Sequence, residues 1–106
     1  MILDDIRLAA SKRVLFLPHA VRWMNRPARM ISPEEVQTVV DFGNVIEDYP
    51  DDPRGHSCLL GGYTERGRQV HVVCSPKDEY LAVVTAYVPD PAQWEDNGTT
   101  RKVGAR

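Results

Sequence analysis

Two apolar runs dominate the second half of the chain, Val70–Cys74 (VHVVC) and Leu81–Tyr87 (LAVVTAY), with the polar stretch SPKDEY between them. Their valines, threonine and tyrosine are the side chains that fit a pleated, half-buried surface. Ser75, Pro76, Lys77 and Asp78 carry turn chemistry, since proline presets φ and Ser and Asp can bond their own backbone. The pattern predicts a β-hairpin over residues 70–87. Both strands are apolar on both faces, which suits a central, doubly covered position, with Val72, Val83 and Val84 buried. His71, Thr85 and Tyr87 are the hairpin's side chains with obvious chemistry. Regular alternation across the turn puts His71 and Tyr87 on opposite faces.

Earlier segments change period. Residues 2–12 place Ile2, Leu3, Ile6, Leu8, Ala9 and Ala10 near a 3.6-residue repeat, with acids early and bases late, as a helix dipole prefers. The run 14–17 is too short to assign. Pro18 opens a second helix that Pro27 ends; His19, Arg22 and Arg26 share one face of it, and Ala20, Trp23 and Met24 cover the other. Ser32-Pro33-Glu34-Glu35 reads as a capping box at the start of a third helix, whose buried stripe is Val36, Val39, Val40 and Phe42 and which Gly43 closes. Strands follow at 45–49 and 57–63, the second carrying Gly61-Gly62, whose missing side chains permit close approach by another group. Helices followed by four strands on short turns predict an α+β fold, with N-terminal helices on a four-stranded, mainly antiparallel sheet. Residues 1–95 form the single domain, and 96–106 a loose polar tail.

Composition places the chain among ordinary globular proteins: 106 residues, 42% hydrophobic and 26% charged. It lacks an apolar run long enough to span a bilayer, and the acidic start MILDDIR is unlike a signal peptide, so the expected location is the cytoplasm. The net charge of -2 conceals separation. Residues 1–31 hold six Lys/Arg against two acids, 32–53 seven acids and no Lys or Arg, and 54–106 seven bases against six acids. One face could meet nucleic acid and another a basic partner, or these are solvated surfaces.

Candidate chemistry is sparse. His71 among valines reads as a hydrogen-bonded core residue or, if it faces a groove, as a general acid–base group. His19 beside Arg22 is electropositive and exposed, suited to an anion or inert. If Tyr63 pairs with Gln69, Cys58 falls opposite Cys74 with His56 on the same face. Three soft ligands would then converge, but zinc sites favour close pairs such as CxxC, so two free thiols packed as small hydrophobes are expected, with no metal and no cofactor.

The segments PHAVRWM, ISPEEV, VIEDYPDDPRGHSCLLGG and GRQVHVVCSPKDEYLAVVTAYVPDPAQW together resemble the bacterial domain-of-unknown-function family numbered 4258, over roughly residues 14–95. That family in turn resembles the RelE/ParE toxin superfamily. The resemblance implies a RelE-like fold and the toxin half of a type II toxin–antitoxin pair. It also implies a metal-independent endoribonuclease in which the RNA 2′-hydroxyl attacks the adjacent phosphate. The implied partners are RNA and a cognate antitoxin, such as a small zinc-finger protein. Carried over by position, His71 and Tyr87 would act as acid and base together with His19, while Arg22, Arg26 and Arg54 would hold phosphate. The chain's acidity, unlike strongly basic ribosome-dependent toxins, keeps a second reading open: a non-catalytic protein-binding module of the same fold.

Overall fold

The computed structural model describes residues 1–95 and 98–102. Three helices, α1 (Ile2–Lys12), α2 (Pro18–Met24) and α3 (Pro33–Phe42), accompany a five-stranded sheet of β1 (Val14–Phe16), β2 (Asn44–Tyr49), β3 (Ser57–Tyr63), β4 (Gln69–Pro76) and β5 (Leu81–Tyr87). The sheet order is β1-β5-β4-β3-β2. The α+β class and the mainly antiparallel sheet agree with the sequence pattern, but the sheet has five strands rather than four. The extra one is the short apolar run after α1. It pairs in parallel with β5, Val14 opposite Leu81 and Phe16 opposite Val83. Three residues carry no readable period, and only the long-range partner makes them a strand.

β4 and β5 lie at the centre, as their unbroken apolar character requires. The β3–β4 hairpin pairs Tyr63 with Gln69 and hence Cys58 with Cys74, the expected register. The β4–β5 hairpin departs from expectation in one respect. β4 runs on through Pro76, and the turn is closed by the Lys77 amide donating to the Tyr80 carbonyl. Near that turn Cys74 pairs with Val83, but beyond it Val73 pairs with Thr85, leaving Val84 as a one-residue bulge. A bulge moves every later side chain of its strand to the other face. His71 and Tyr87 are therefore direct cross-strand partners on one face, not on opposite faces.

α1 and α3 cover the other face, where Ile6, Val36, Val39 and Val40 pack on Leu60, Val70, Val72, Cys74 and Val83. Val72 and Val83 are inaccessible, while Val84, displaced by the bulge, is only half-buried. Val83→Ala is expected to cost roughly 1–3 kcal/mol, from lost transfer energy plus a cavity. A denaturant midpoint unchanged by that substitution would show that this face is not the core.

The α3 start forms as its sequence dictates: the Ser32 hydroxyl accepts from the Glu35 amide at 3.1 Å and the Glu35 carboxylate from the Ser32 amide at 3.2 Å. At its other end Phe42 is 81% exposed, outside the stripe expected to bury it. Gly43 and Gly62 let α3 lie directly on β3. A Cβ on Gly62 would stand 3.2 Å from the Gly43 Cα, and one on Gly43 2.7 Å from the Gly61 carbonyl oxygen. Close backbone approach is thus what the glycines of β3 permit.

A two-stranded ribbon completes the described chain, β6 (Trp94–Glu95) paired with β7 (Thr100–Arg101). Residues 98–102 are therefore not a loose tail, while 96–97 and 103–106 fall outside the described residues. No helix among the described residues is long and apolar enough to cross a membrane.

Candidate functional site

Strand alternation sends Val70, Val72 and Cys74 under the helices and leaves His71 and Val73 on the opposite face of β4. That second face is the floor of a groove. A cleft of about 440 Å³ is bounded by His19 and Trp23 of α2, Arg29, Tyr87 of β5, and Arg101. An adjoining hollow of about 560 Å³ is bounded by Tyr49, Arg54, Val73 and Val84. His19 and Thr85 border both, so the two join. The bulge at Val84 shapes this floor, because Val84 and Thr85 both open onto the groove.

His71 and Tyr87 are brought together, though only Tyr87 faces the cleft. His71 has no accessible surface. Its Nε2–H donates to the Gly98 carbonyl at 2.8 Å, which leaves Nδ1 to accept from the Tyr87 hydroxyl at 3.3 Å. The Trp94 ring meets the imidazole edge-on, 4.6 Å between centroids. Burial holds the His71 pKa below the ordinary histidine value and the Tyr87 pKa above that of a free phenol, so both are neutral near pH 7. A neutral imidazole bonded in this way can take a proton from Tyr87 while Tyr87 takes one from a ligand in the cleft. His71 thus lies behind Tyr87, out of direct reach of anything in the cleft.

His19 is exposed at the start of α2. Its ring lies 6.0 Å from Trp23, which departs from the face assigned to it: Ala20 and Met24 enter the core, while Trp23 stays half-exposed beside His19. The expected phosphate-binding arginines are arranged differently from the sequence pattern. α2 ends at Met24, before Arg26, whose guanidinium lies 4.0 Å from the Trp23 ring centroid. Arg22 is exposed, and neither it nor Arg26 borders the cleft. Arg54 does border the hollow, but its Nε and Nη2 already donate to the Asp52 carboxylate at 3.1 and 3.0 Å. That bidentate bond, with the Arg54 amide and the Ser57 hydroxyl also donating, pulls the Asp52 carboxyl well below its usual range.

The cations that do face the cleft were not singled out by sequence. Arg29 donates to the Val88 carbonyl through Nη1 at 2.9 Å, leaving its other N–H groups for a ligand. Arg101 returns from β7 over the sheet, its guanidinium 4.5 Å from the Trp94 ring centroid. Its Nε and Nη2 donate to the Glu47 carboxylate at 3.1 and 2.9 Å, and the Tyr49 hydroxyl donates to the same carboxylate. Arg101 is the main reason the Glu47 pKa is lowered. Alternation along β2 marks Glu47 and Tyr49 as sharing a face, and that was the one readable signal; Arg101 lay in a segment with no periodicity.

The soft-ligand cluster does not assemble. Cys58 and Cys74 are free thiols, buried under the helices, and the hydrogen bond from Cys74 to Cys58, together with burial, pushes the Cys74 thiol up. The His56 ring instead meets the Asp48 carboxylate at 2.5 Å. Among the described residues no group of three His, Cys, Asp or Glu side chains is arranged to hold a metal ion.

No curated protein and no solved structure matches the chain. Residues 16–88, which supply α2, the whole β2–β5 meander and hence the floor of the groove, match the model of a family described as a domain of unknown function (DUF4258), and the chain belongs to that family.

Proposed function

We propose that the protein is the toxin-like half of a bacterial toxin–antitoxin pair and cleaves single-stranded RNA without a metal, through attack of a 2′-hydroxyl on the adjacent phosphorus. The observation that carries this reading is one cleft bordered by an exposed imidazole, a tyrosine backed by a neutral imidazole, and two guanidinium groups. The resemblance of its family to the RelE/ParE toxin superfamily lends the reading support.

The chemistry runs through these groups as follows. The 2′-hydroxyl gives its proton to the Tyr87 oxygen while the Tyr87 proton passes to His71 Nδ1. The 2′-oxygen forms a bond to phosphorus and the bond to the 5′-oxygen breaks. His19, exposed on the cleft, gives that oxygen a proton. The products are a 2′,3′-cyclic phosphate and a 5′-hydroxyl; the proton on His71 goes back through the Tyr87 hydroxyl, which hands its own proton to water and so to His19. Arg29 and Arg101 face the charge that builds on the phosphate, where preorganised donors act most strongly.

The test has two parts: induced expression in a bacterial host, and incubation of purified protein with single-stranded RNA in the presence of a chelator. Growth arrest together with products ending in cyclic phosphate is the expected result. Intact RNA in both settings would remove the nuclease reading.

A second reading, a non-catalytic protein-binding module, is favoured by a different observation. β2 is an edge strand in the acidic segment; it carries exposed Val45, and exposed Phe42 lies just before it. An unpaired edge beside acids suits an extended, basic, apolar segment of a partner such as an antitoxin.

A further inference from the structure

We propose that the cleft between α2 and the turn over residues 90–93 is a base-binding slot that selects guanine in single-stranded RNA, a proposal that rests on the RNA reading above for its class of ligand. The chain has two tryptophans, and both border this one cleft. Each carries a guanidinium against its ring, Arg26 on Trp23 and Arg101 on Trp94. Trp94 is only 5% exposed and its ring is taken up by His71 and Arg101, whereas Trp23 is half-exposed, with Arg26 4.0 Å and Arg29 5.9 Å from its ring centroid, and is the more open of the two to a flat ring. Aromatic faces of this kind stack any base and bind without regard to sequence. The volume of about 440 Å³ falls within the small-ligand range of roughly 300–1,000 Å³, enough for one nucleoside rather than a duplex.

Selectivity comes from the far wall, where Asp90 and Gln93 border the same cleft. Asp90 is exposed and tied to the turn that follows it. Its Oδ1 accepts from the Ala92 amide at 2.9 Å, and its carbonyl accepts from the Gln93 and Trp94 amides at 2.8 and 3.2 Å. No hydrogen bond to its Oδ2 occurs among the described residues, and Oδ1 keeps a second lone pair. A carboxylate accepts two adjacent donors. Guanine alone offers that pair on its Watson–Crick edge, N1–H beside N2–H. Adenine and cytosine place a ring-nitrogen acceptor there, and uracil flanks its single N–H with two carbonyls. Arg29, whose Nη1 is anchored on the Val88 carbonyl, lies close enough to the slot to meet the phosphate of the same nucleotide.

Fluorescence anisotropy with labelled 2′-O-methyl pentaribonucleotides tests this, because such RNAs cannot be cleaved by 2′-attack. A pentamer with one central guanine in an adenine background is expected to bind roughly tenfold tighter than the all-adenine pentamer, the scale of one bidentate contact. Inosine at that position, which lacks the 2-amino group, should lose most of the gain. Asp90→Asn retains the acceptor for the Ala92 amide, so it should keep the melting temperature while abolishing the preference. Trp23→Ala should weaken all pentamers alike. Equal affinity for guanine and adenine pentamers, or a preference that survives Asp90→Asn, overturns the slot. Guanine-selective binding with unmodified RNA left intact sustains the slot and removes the nuclease reading; cleavage with no base preference does the reverse.

Discussion

Tyr87→Phe is expected to lower RNA cleavage by roughly 10²–10⁴-fold, the usual consequence of losing one positioned acid or base. The substitution deletes a single oxygen. The ring stays at its 5.3 Å centroid distance from His71, so packing on the sheet floor is preserved. His71 then loses its connection to the cleft, since Nε2 is bonded to Gly98 and Nδ1 faces only the vacated hydroxyl. His19→Ala should bring a loss of similar size from the opposite wall without touching the core, because His19 is exposed. Arg54→Ala should change the rate less than tenfold, as it borders the adjoining hollow and not the cleft that Tyr87 faces. The relay also sets the sign of the pH dependence. A base must be deprotonated to act, and burial lowers the His71 pKa, so the acid limb of the rate profile should lie below the ordinary histidine value of 6.5. Initial rates on one RNA from pH 4.5 to 9, with thermal melts of each variant, measure all of this. Wild-type rates in Tyr87→Phe would exclude the relay.

Arg68→Ala is expected to destabilise the fold by about 3 kcal/mol without entering the groove at all. Glu35 is inaccessible to solvent and charged. Arg68 donates to it through Nε at 3.0 Å and Nη2 at 2.8 Å, and the Thr64 hydroxyl through a third bond of 2.8 Å. The cluster ties the start of α3 to the β3–β4 turn. Removing one partner of a buried pair leaves an uncompensated charge, which typically costs roughly 3–5 kcal/mol. The lower end applies, because Arg66 stands 3.5 Å from the same carboxylate and is half-exposed. The Arg68 hydrogen bond, opposed by burial, brings the Glu35 pKa from 4.5 down to about 2. A depressed carboxyl pKa contributes stability that is full above the unfolded value and is lost as pH falls through the folded one. Wild-type stability should therefore decline between about pH 4.5 and 2, and Arg68→Ala should flatten that decline. Urea unfolding at several pH values measures both. A midpoint unmoved by the substitution would mean that the carboxylate is solvated.

The same residue shows how far local sequence reaches. Glu35 was readable as the third position of a capping box, since that motif closes within four residues. Its pairing with Arg68, 33 positions away, was not, because nothing near either residue marks the other. Likewise the pairing of Tyr63 with Gln69 follows from a short turn, and it carries the Cys58–Cys74 register with it. The span of α1, the centrality of β4 and β5 and a close approach at Gly62 were legible for similar reasons: each is written in a period, an apolar run or a missing side chain.

What the sequence by itself determined, then, is the α+β class, the mainly antiparallel sheet and most of the elements, because these depend on propensity and on burying apolar area. Tertiary structure alone decided the groove. The bulge at Val84 arises where β5 must satisfy β1 on one side and β4 on the other, and it turns His71 and Tyr87 from opposed into facing groups. Arg101 reaches Glu47 only because β7 folds back on β6, and Arg54 is withdrawn by an aspartate that no periodicity pairs with it. Each depends on partners far apart in the chain or on a one-residue shift of register, and a shift of one residue reverses every face beyond it.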